Sequence, residues 1–261
     1  MTIVWIGAGR LATCLGTALQ AAGHKTLQVY SRTMDSAAAL AARLGCEATD
    51  DADAVNTTAD VYLFAVSDAA LEPLAGRIAP RVGDALCLHT AGSMPMEVFR
   101  GRAVRYGVLY PLQTFSRERE VDFASVPCFV EASDDAAMTT VKALAASVSG
   151  RVEEMSTDRR ASLHVAAVFA CNFTNHCYAL AADLLKRHGV AFDVLLPLVD
   201  ETARKVHTLP PQKAQTGPAV RYDENVMNRH LQMLGDDKPA AGIYEMMSRS
   251  IHRLALRADE E

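Results

Sequence analysis

The feature that most constrains the fold of this chain is a glycine turn that directly follows a short apolar run near the amino terminus. Residues 3–6 are apolar, and residues 7–12 read G-A-G-R-L-A. An apolar-periodic segment, residues 10–22, comes next and predicts a helix, and a β-rich run then occupies residues 26–30. A strand, a G-x-G-x-x-A turn, a helix and a second strand in this order are typical of a βαβ unit in a parallel sheet.

The alternation of strand-like and helix-like segments continues to residue 155. Further strand-like runs occupy residues 61–66, 85–89, 106–109 and 128–131, and helix-like segments occupy residues 34–44, 69–78 and 134–148. Gly23 and Gly45 follow two of the predicted helices, where left-handed residues commonly end a helix. We therefore predict an α/β fold, a Rossmann-like doubly wound parallel sheet, over residues 1–155.

The chain changes character after residue 155, because no alternating strand pattern follows. Residues 157–188 predict one long helix that ends before Gly189, and its apolar composition on most faces predicts that it is central and buried. Shorter helices are expected at residues 193–207, 223–234 and 240–257, and the proline-rich residues 209–221 predict a loop. We therefore predict an all-α second domain over residues 156–261.

Composition and charge exclude several classes of protein. The 261-residue chain is 50% hydrophobic and carries a formal net charge of −5, so nucleic acid is not an expected partner. No apolar run reaches the ~18 residues of a membrane span, and the amino terminus has no secretory pattern. The six cysteines form no C-x-x-C pair and no metal-binding spacing. We expect reduced, mostly buried thiols, no metal and a cytoplasmic protein.

The glycine turn has the residue types that a dinucleotide phosphate requires. Gly7 permits the tight turn, Gly9 lets the backbone approach a pyrophosphate, and the small Ala12 lets helix and strand pack closely. The amino terminus of the following helix offers free N–H groups and the positive end of a dipole. We predict a dinucleotide site, and the alternative is an ordinary strand–turn–helix without a ligand.

The end of the second strand predicts which dinucleotide binds. An NAD site usually has Asp or Glu there for the ribose 2′-hydroxyl, but this chain has Ser31, Arg32 and Thr33, with no carboxylate before Asp35. An arginine at this position can pair with a 2′-phosphate, and the two hydroxyls can assist it. The predicted cofactor is therefore NADP, with Arg10 adding charge. The alternative for Arg32 is a solvated side chain.

Three later loops follow strands of the same sheet, and ligands of open α/β sheets bind beyond the carboxyl ends of the strands. One contains Ala65, Val66, Ser67 and Asp68, and either Ser67 or Asp68 is also a candidate N-cap of the next helix. Another begins at His89, which is a weaker catalytic candidate, and the third occupies residues 110–116. The predicted cofactor contacts are Gly7, Ala8, Gly9, Arg10, Leu11, Ala12, Ser31, Arg32, Thr33, Ala65, Val66, Ser67 and His89.

The predicted long helix has a stripe of polar side chains. At about 100° per residue, His164, Asn172, Asn175 and His176 fall within an arc of roughly 120°. We assign His164 and Asn172 to a substrate pocket, and Asn175 and His176 to structural contacts. An imidazole titrates near neutral pH, so His164 is the candidate general acid or base, with Asn172 orienting it or the substrate.

Three further side chains are candidate substrate ligands: Gln113, Lys205 and Arg221. Lys205 also has the spacing of a surface ion pair with Glu201, and Arg221 is equally suited to pairing with Asp223. Both readings stay open at the level of the sequence.

Together these segments resemble a family of NADP oxidoreductases in which a Rossmann-like domain precedes a helical domain of unknown function. The resembling segments are residues 7–12, 31–33, 65–68, 89–93, 110–116, 164–173 and 215–223. More distantly, the layout resembles pyrroline-5-carboxylate reductase, deazaflavin-dependent NADP reductases and the 6-phosphogluconate dehydrogenase superfamily. The β-hydroxyacid dehydrogenases of that superfamily use a Lys-x-x-x-Asn pair. Here His164 or Val168 precedes Asn172, which argues against hydroxyacid oxidation by that mechanism.

The resemblance implies a nucleotide cleft between the two domains and a helical domain that forms a homodimer. The sequence thus predicts an NADP(H)-dependent oxidoreductase that transfers a hydride to or from a small carbonyl, imine or alcohol in that cleft. Two alternatives stay open: a non-catalytic sensor that binds NADP(H) or another nucleotide, and a cyclic imine reductase resembling pyrroline-5-carboxylate reductase.

Overall fold

The computed structural model describes residues 1–116 and 121–258. The chain divides into two compact units, Met1–Cys171 and Asn172–Glu261. The predicted boundary between residues 155 and 156 stays a prediction, because compactness does not show which segments fold independently.

The first unit is built around one twisted sheet. Among the described residues, eight strands form it in the order β3-β2-β1-β4-β5-β6-β7-β8. The strands are β1 (Thr2–Ile6), β2 (Lys25–Tyr30), β3 (Glu47–Thr49), β4 (Val61–Phe64), β5 (Leu86–His89), β6 (Arg105–Pro111), β7 (Cys128–Ala132) and β8 (Val152–Glu154). Strands β2 and β3 lie on one side of β1, and the later strands β4 to β8 lie on the other side, so the order of the strands switches at β1. The site of interest lies at the carboxyl ends of the strands around this switch point.

Helices cover both faces of the sheet, as the sequence predicts. They are α1 (Arg10–Ala21), α2 (Met34–Leu44), α3 (Asp68–Ile78), α4 (Asp135–Ala146) and α5 (Thr157–Ala167). Alternate residues of β1 enter different cores: Trp5 packs in the cluster with α1, α2 and α4, and Ile6 in the cluster with α3. A strand that is apolar on both sides is required where helices cover both faces. The predicted fold class is confirmed.

Two details of the sheet differ from the expectation. Strands β3 and β8 were not predicted, because three residues are too few to show a period of two. Strand β7 runs antiparallel to β6, whereas the other strand pairs are parallel. The described part of the β6–β7 connection contains one short 3-10 turn (Phe123–Ser125) and no α-helix, whereas the crossover to a parallel strand usually contains one.

The long helical run differs from the expectation in two ways. It consists of α5, a π-helical segment (Val168–Phe173) and α6 (Thr174–Arg187). The π-helical segment alters the angle per residue, so the predicted arc of polar side chains does not hold across it. The expectation of a buried helix is wrong for a single chain: Val165, Phe169 and Phe173 are 57%, 64% and 50% exposed. The run ends before Gly189, which has a positive φ of 70°, as predicted.

The second unit is helical. After α6 it contains a 3-10 turn (Phe192–Leu195), α7 (Leu196–Lys205), α8 (Pro211–Ala214), α9 (Glu224–Leu234) and α10 (Lys238–Ala258). Helix α8 interrupts the segment predicted as a loop, because proline is tolerated in the first turn of a helix. Among residues 1–116 and 121–258, no helix is long and apolar enough to cross a membrane.

All six cysteines are free thiols, but most of them are not buried. Cys87 and Cys128 are buried, Cys171 is exposed, and the other three are half-buried. The expectation of mostly buried thiols is therefore wrong. Part of the reason is that Cys171 and Cys177 lie on the helical run that a single chain leaves exposed.

Candidate active site

A cavity of about 500 Å³ lies at the carboxyl ends of β1, β2 and β4. The sequence-predicted residues that line it are Gly7, Ala8, Gly9, Ser31, Arg32, Thr33, Ala65, Val66 and Ser67. The lining residues that were not predicted are Tyr30, Ser36, Ala70, Pro73 and Leu74. The last three belong to α3, whose cavity-facing side has no motif of its own. The structure thus brings three separate predicted loops to one cavity.

Gly7 and Gly9 have different reasons to lack a side chain. Gly7 has a φ of +116°, and a Cβ there would lie 2.3 Å from the carbonyl oxygen of Ala65. The fold itself therefore requires this glycine. Gly9 lies in ordinary extended backbone, and a Cβ there would meet no atom within 4 Å. The fold does not require the second glycine, and a Cβ would fill space beside the cavity that a dinucleotide phosphate would need.

Three helices begin at the cavity wall, and their amino termini lack side-chain caps. The N-cap residues of α1, α2 and α3 are Gly9, Thr33 and Ser67, and none of them makes a side-chain capping hydrogen bond. The Thr33 hydroxyl instead donates to Ser36 Oγ at 3.0 Å. Ser67 holds the N-cap position, as expected, without the expected hydrogen bond. Uncapped helix amino termini offer N–H donors and positive dipole ends to an anion.

Arg32 adds a full positive charge to this wall. Its side chain is exposed and lines the cavity. Within residues 1–116 and 121–258 it pairs with no carboxylate. Arg10 is also exposed, beside the glycine turn, whereas Ala12 is buried and packs in the core as expected. The donor set fits a phosphorylated dinucleotide: three helix ends for phosphate oxygens and a guanidinium for a further phosphate.

The loop after β4, which lines the cavity, is hydrogen-bonded to the loop after β5. The Ser93 hydroxyl donates to Asp68 Oδ2 at 2.5 Å, and the Thr90 amide donates to the Phe64 carbonyl at 3.2 Å. These contacts join the loop after β4 to the loop after β5. The polar wall of the cavity therefore continues in a fixed arrangement toward β5 and β6.

His89 is a structural residue of this second loop. Its imidazole is fully buried; the Ala91 amide donates to Nδ1 at 3.2 Å, and Nε2 donates to the Pro95 carbonyl at 3.3 Å. Burial, reinforced by the charge of Arg160, lowers the pKa of His89 to about 3. The side chain is therefore neutral and inaccessible. Of the atoms of His89, only those of the backbone remain for the predicted contact with the cofactor.

The buried His89 predicts how stability depends on pH. The unfolded chain protonates this residue below about pH 6.5, but the folded chain does so only near pH 3. The unfolded state binds more protons in that window, so the free energy of unfolding should decrease as the pH falls through it, by up to ~1.4 kcal/mol per pH unit. Urea denaturation between pH 7 and 4 should show the stability difference between wild type and His89→Gln shrinking with acidity; parallel pH profiles would contradict this assignment.

His164 stands at the ends of β5 and β6, on helix α5. The Tyr110 hydroxyl lies 2.9 Å from His164 Nδ1, and the two rings meet edge to face. The imidazole also packs against Gly92, where a Cβ would lie 2.5 Å from Nδ1. The second ring nitrogen makes no hydrogen bond with the residues that the structure describes. His164 is half-buried. Tyr110 and Gly92 hold its imidazole from two sides, and among the described residues its Nε2 has no hydrogen-bond partner.

Helix α5 is anchored to the sheet one turn before His164. The fully buried Arg160 donates to Glu131 Oε2 at 2.5 Å and to the Met94 carbonyl at 2.6 Å. Glu131 also accepts hydrogen bonds from the amide and hydroxyl of Thr157. This network fixes the first turn of α5 on β7 and on the loop that follows β5.

The other predicted site residues lie on several different segments of the chain. Asn172 is exposed in the π-helical segment, and Asn175 and His176 are exposed on α6. Gln113 Oε1 accepts from the Thr114 amide at 2.8 Å, so its side chain folds back on its own loop. The roles toward substrate predicted for Asn172 and Gln113, and the structural contacts predicted for Asn175 and His176, stay predictions.

The structure answers the two alternatives that involve ion pairs. Glu201 lies 4.0 Å from Arg204, so the described residues do not show the pairing of Glu201 with Lys205. Asp223 caps α9 by accepting from the Val226 amide at 3.2 Å, and it does not pair with Arg221, which is exposed. The roles of Lys205 and Arg221 toward substrate stay predictions.

Sequence reasoning missed Tyr110, Gly92 and Arg160. Tyr110 and Gly92 lie in or beside loops that the carboxyl-end rule selected, but nothing local indicated that they meet His164. Arg160 has no such signal, because it lies in the polar run S-T-D-R-R-A-S of residues 156–162, and nothing local distinguishes it from the neighbouring exposed Arg159.

A Rossmann-type sheet with three uncapped helix termini and a free arginine at one cavity defines a dinucleotide-binding protein. The comparisons with known proteins agree. Residues 2–86 match the family described as NADP oxidoreductase, coenzyme F420-dependent, and residues 126–251 match a domain of unknown function, DUF2520. No curated protein matches the chain.

Solved structures identify the family. A Bacteroides fragilis protein assigned by its name to the NADP oxidoreductases is 52% identical, with a TM-score of 0.93 over 97% of this chain and 98% of that one. This chain therefore belongs to that family of NADP oxidoreductases. The predicted resemblance is confirmed, and so is NADP as the cofactor of the family to which the chain belongs.

More distant structures share the fold. A Thermotoga maritima protein is 21% identical, with a TM-score of 0.77 over 97% of this chain and 99% of that one. A Myxococcus stipitatus imine reductase in complex with NADP+ is 18% identical, with a TM-score of 0.68 over 99% and 95% of the two chains.

Proposed function

We propose that this protein uses NADPH to reduce a small carbonyl or imine compound, or runs the same reaction in reverse on the alcohol or amine. The observation that carries the proposal is the convergence of Gly9, Thr33, Ser67 and Arg32 on one cavity. These groups suit the pyrophosphate and the 2′-phosphate of NADP, and His164 stands beyond them on the same edge of the sheet.

The order of the strands sets the direction in which the cofactor would lie. Arg32 follows β2, on one side of β1, whereas β4, β5 and β6 lie on the other side. With the 2′-phosphate at Arg32 and the pyrophosphate at the glycine turn, the redox end points toward β5 and β6. Bound NADPH supplies a hydride there. The ends of these two strands hold Gly92, Tyr110 and His164, so a substrate accepting the hydride would meet this histidine.

His164 has the chemistry that the reduction needs from the protein. A hydride that reaches the carbon of a C=O or C=N bond leaves the oxygen or nitrogen in need of a proton. An imidazole can supply that proton near neutral pH, and Nε2 is the nitrogen left free for it. Asn172, Gln113, Lys205 and Arg221 remain the predicted residues for orienting the substrate and binding its polar groups.

Imine reduction is the second candidate. The fold similarity to imine reductases covers nearly the full length of both chains, which favours a substrate with a C=N bond. The non-catalytic sensor is the remaining alternative, and it requires NADPH binding without turnover.

A substrate screen tests these proposals. Purified protein is incubated with NADPH and sets of cyclic imines, 2-oxo acids, aldehydes and ketones, and NADPH consumption is followed by absorbance. The proposed function predicts turnover in at least one set, and turnover confined to cyclic imines would establish the second candidate. Tight NADPH binding with no turnover in any set would contradict both and favour the sensor.

We also propose that the helical unit forms a homodimer. Among residues 172–258 the buried ones are Ala219, Met227, Ala240 and Ser248, a small core for a compact unit of this length. Large apolar side chains are exposed on its helices instead: Phe173, Val194, Leu198, Met233, Met246 and Leu256. A second copy of the chain is the partner that covers exposed apolar side chains in most soluble assemblies.

Sedimentation equilibrium tests the dimer. At micromolar concentration the protein should have twice the 28.1 kDa mass of the chain. Met246→Asp places a charge on a side chain that is 74% exposed and should shift the protein toward monomer. The control is Val104→Asp, because Val104 is 66% exposed but lies in the first unit. A wild-type protein that sediments only as a monomer would overturn the proposal.

A further inference from the structure

We propose that Tyr110 and Gly92 are positioning residues that prepare His164 for proton exchange with the substrate. The Tyr110 hydroxyl keeps Nδ1 hydrogen-bonded in both charge states of the imidazole, and Gly92 provides the space in which the ring stands. Nε2 is then the nitrogen that gives or takes the proton. This inference rests on the proposed function, since it assigns roles around the histidine that this function uses.

The position of the imidazole is defined from two sides. Tyr110 is 7% exposed on β6, so packing fixes its ring, and its hydroxyl lies 2.9 Å from His164 Nδ1. On the other side, a Cβ at Gly92 would lie 2.5 Å from Nδ1 and 2.6 Å from Cγ. A methyl group and the imidazole cannot both occupy that space. Gly92 has no positive φ, so its backbone would accept any residue. The closeness of His164 is therefore the reason for a glycine there.

A hydroxyl suits this role because its oxygen, unlike a backbone amide, can accept a hydrogen bond from Nδ1–H. The Tyr110 oxygen accepts from Nδ1–H when His164 is an imidazolium, and it still accepts from Nδ1–H in the neutral tautomer that remains after Nε2 has given up its proton. Burial raises the pKa of Tyr110, against a smaller opposing effect from the positive charge of Arg160, so the phenol keeps its proton. Arg160 and Cys171 are the other titratable groups that act on Tyr110, and Glu131 neutralises Arg160.

The proton step balances with NADPH as the reductant. A hydride from NADPH forms a C–H bond at the substrate carbon while the π bond to nitrogen or oxygen breaks. The Nε2–H bond of the imidazolium breaks, and its proton forms the new N–H or O–H bond. His164 is left neutral and hydrogen-bonded to Tyr110, and it regains a proton from water.

His89 is the contrasting case, because its two ring nitrogens contact backbone groups and not a hydroxyl. The amide that faces its Nδ1 can only donate, and the carbonyl that faces its Nε2 can only accept. Adding a proton at Nδ1 would break a hydrogen bond, so this imidazole is restricted to one state. The same edge of the sheet thus holds one histidine fixed as neutral and one whose partner tolerates both charge states.

Nitrogen-15 NMR of the histidine side chains tests the hydrogen bond in the full-length protein. Tyr110→Phe should move the Nδ1 resonance of His164 and mix the two tautomers of the ring, and Gly92→Ala should also move it by displacing the imidazole. The controls are Tyr62→Phe, which removes another buried hydroxyl that donates a hydrogen bond at 2.8 Å, and Gly76→Ala, where a Cβ has only ordinary contact. An Nδ1 resonance that is unchanged in Tyr110→Phe would overturn the inference.

Kinetics with a substrate from the screen test the positioning role. Tyr110→Phe should lower kcat by roughly ten- to a hundredfold, the effect of losing a hydrogen bond to a charged group. KM and the NADPH Kd should stay within about twofold of wild type, because Tyr110 binds neither ligand. Tyr62→Phe should leave kcat unchanged. A kcat in Tyr110→Phe equal to that of wild type would also overturn the inference.

The two tests separate this inference from the proposed function. If no compound is turned over, the proposed function fails in the screen, and the NMR measurement still decides whether Tyr110 and Gly92 position His164. If turnover is found but both variants behave as wild type, the proposed function stands and the inference fails.

Discussion

Glu131→Gln should destabilise the protein by about 3–5 kcal/mol, the cost of removing one partner from a buried ion pair. The guanidinium of Arg160 is fully buried, and its Nε has no hydrogen-bond partner within the described part of the chain. Neutralising Glu131 removes the one carboxylate that pairs with it there. The unfolding midpoint in urea should fall sharply, and by more than replacement of an exposed charged side chain would lower it.

A double variant tests whether the unpaired buried charge causes this loss of stability. Replacing both partners, with Arg160→Met and Glu131→Leu, should recover much of the lost stability, because no isolated charge is left inside. The exposed pair Arg77–Asp53 is the control, with side chains 51% and 63% exposed, and Arg77→Met should hardly move the midpoint. Equal effects of Glu131→Gln and Arg77→Met would show that the Arg160–Glu131 pair does not anchor helix α5.

His164→Gln should lower kcat by about 10²–10⁴-fold on a substrate found in the screen, the usual contribution of a general acid. Glutamine keeps a hydrogen-bonding side chain but cannot supply a proton. NADPH should bind with unchanged affinity, because His164 does not line the cavity assigned to the cofactor. Initial rates combined with NADPH titration measure the two effects separately.

His24→Gln is the matched control for this variant. His24 bonds Ser147 at 3.0 Å on the opposite edge of the sheet, where the amino ends of the strands lie. Its replacement should leave kcat unchanged. Turnover by His164→Gln at the wild-type rate would remove His164 from the chemistry, even if the fold and the cofactor assignment hold.

The sequence was most informative where structure follows from neighbouring residues. The glycine turn and the helices α1, α2 and α3 could be predicted because hydrophobic period and special backbone positions are local properties. Arg32 could be predicted to line the cofactor cavity because it directly follows β2, and this position does not depend on the packing of distant segments. Gly9 was predicted for the same reason, and the open space around it agrees with that role.

The remaining features depend on contacts that no local pattern records. Tyr110 and His164 are 54 residues apart, and their meeting depends on how α5 packs on the sheet. The antiparallel direction of β7 is accompanied by a connection whose described residues contain no α-helix. The π-helical segment changes the angle per residue, so a prediction that assumes a constant angle places the following side chains on the wrong face. The long helix looks buried in sequence because it is apolar on most faces, whereas the structure leaves Val165, Phe169 and Phe173 exposed.

Calorimetric titration with NADPH and, separately, NADH tests the central claim most directly. Wild-type protein should bind NADPH roughly ten- to a hundredfold more tightly than NADH, because charge-assisted hydrogen bonds from Arg32 to a phosphate contribute about 1.5–3 kcal/mol. Arg32→Ala should abolish most of this preference, and Arg43→Ala, at the other end of α2, should retain it. Equal affinity for the two dinucleotides, or no binding of either, would contradict the account.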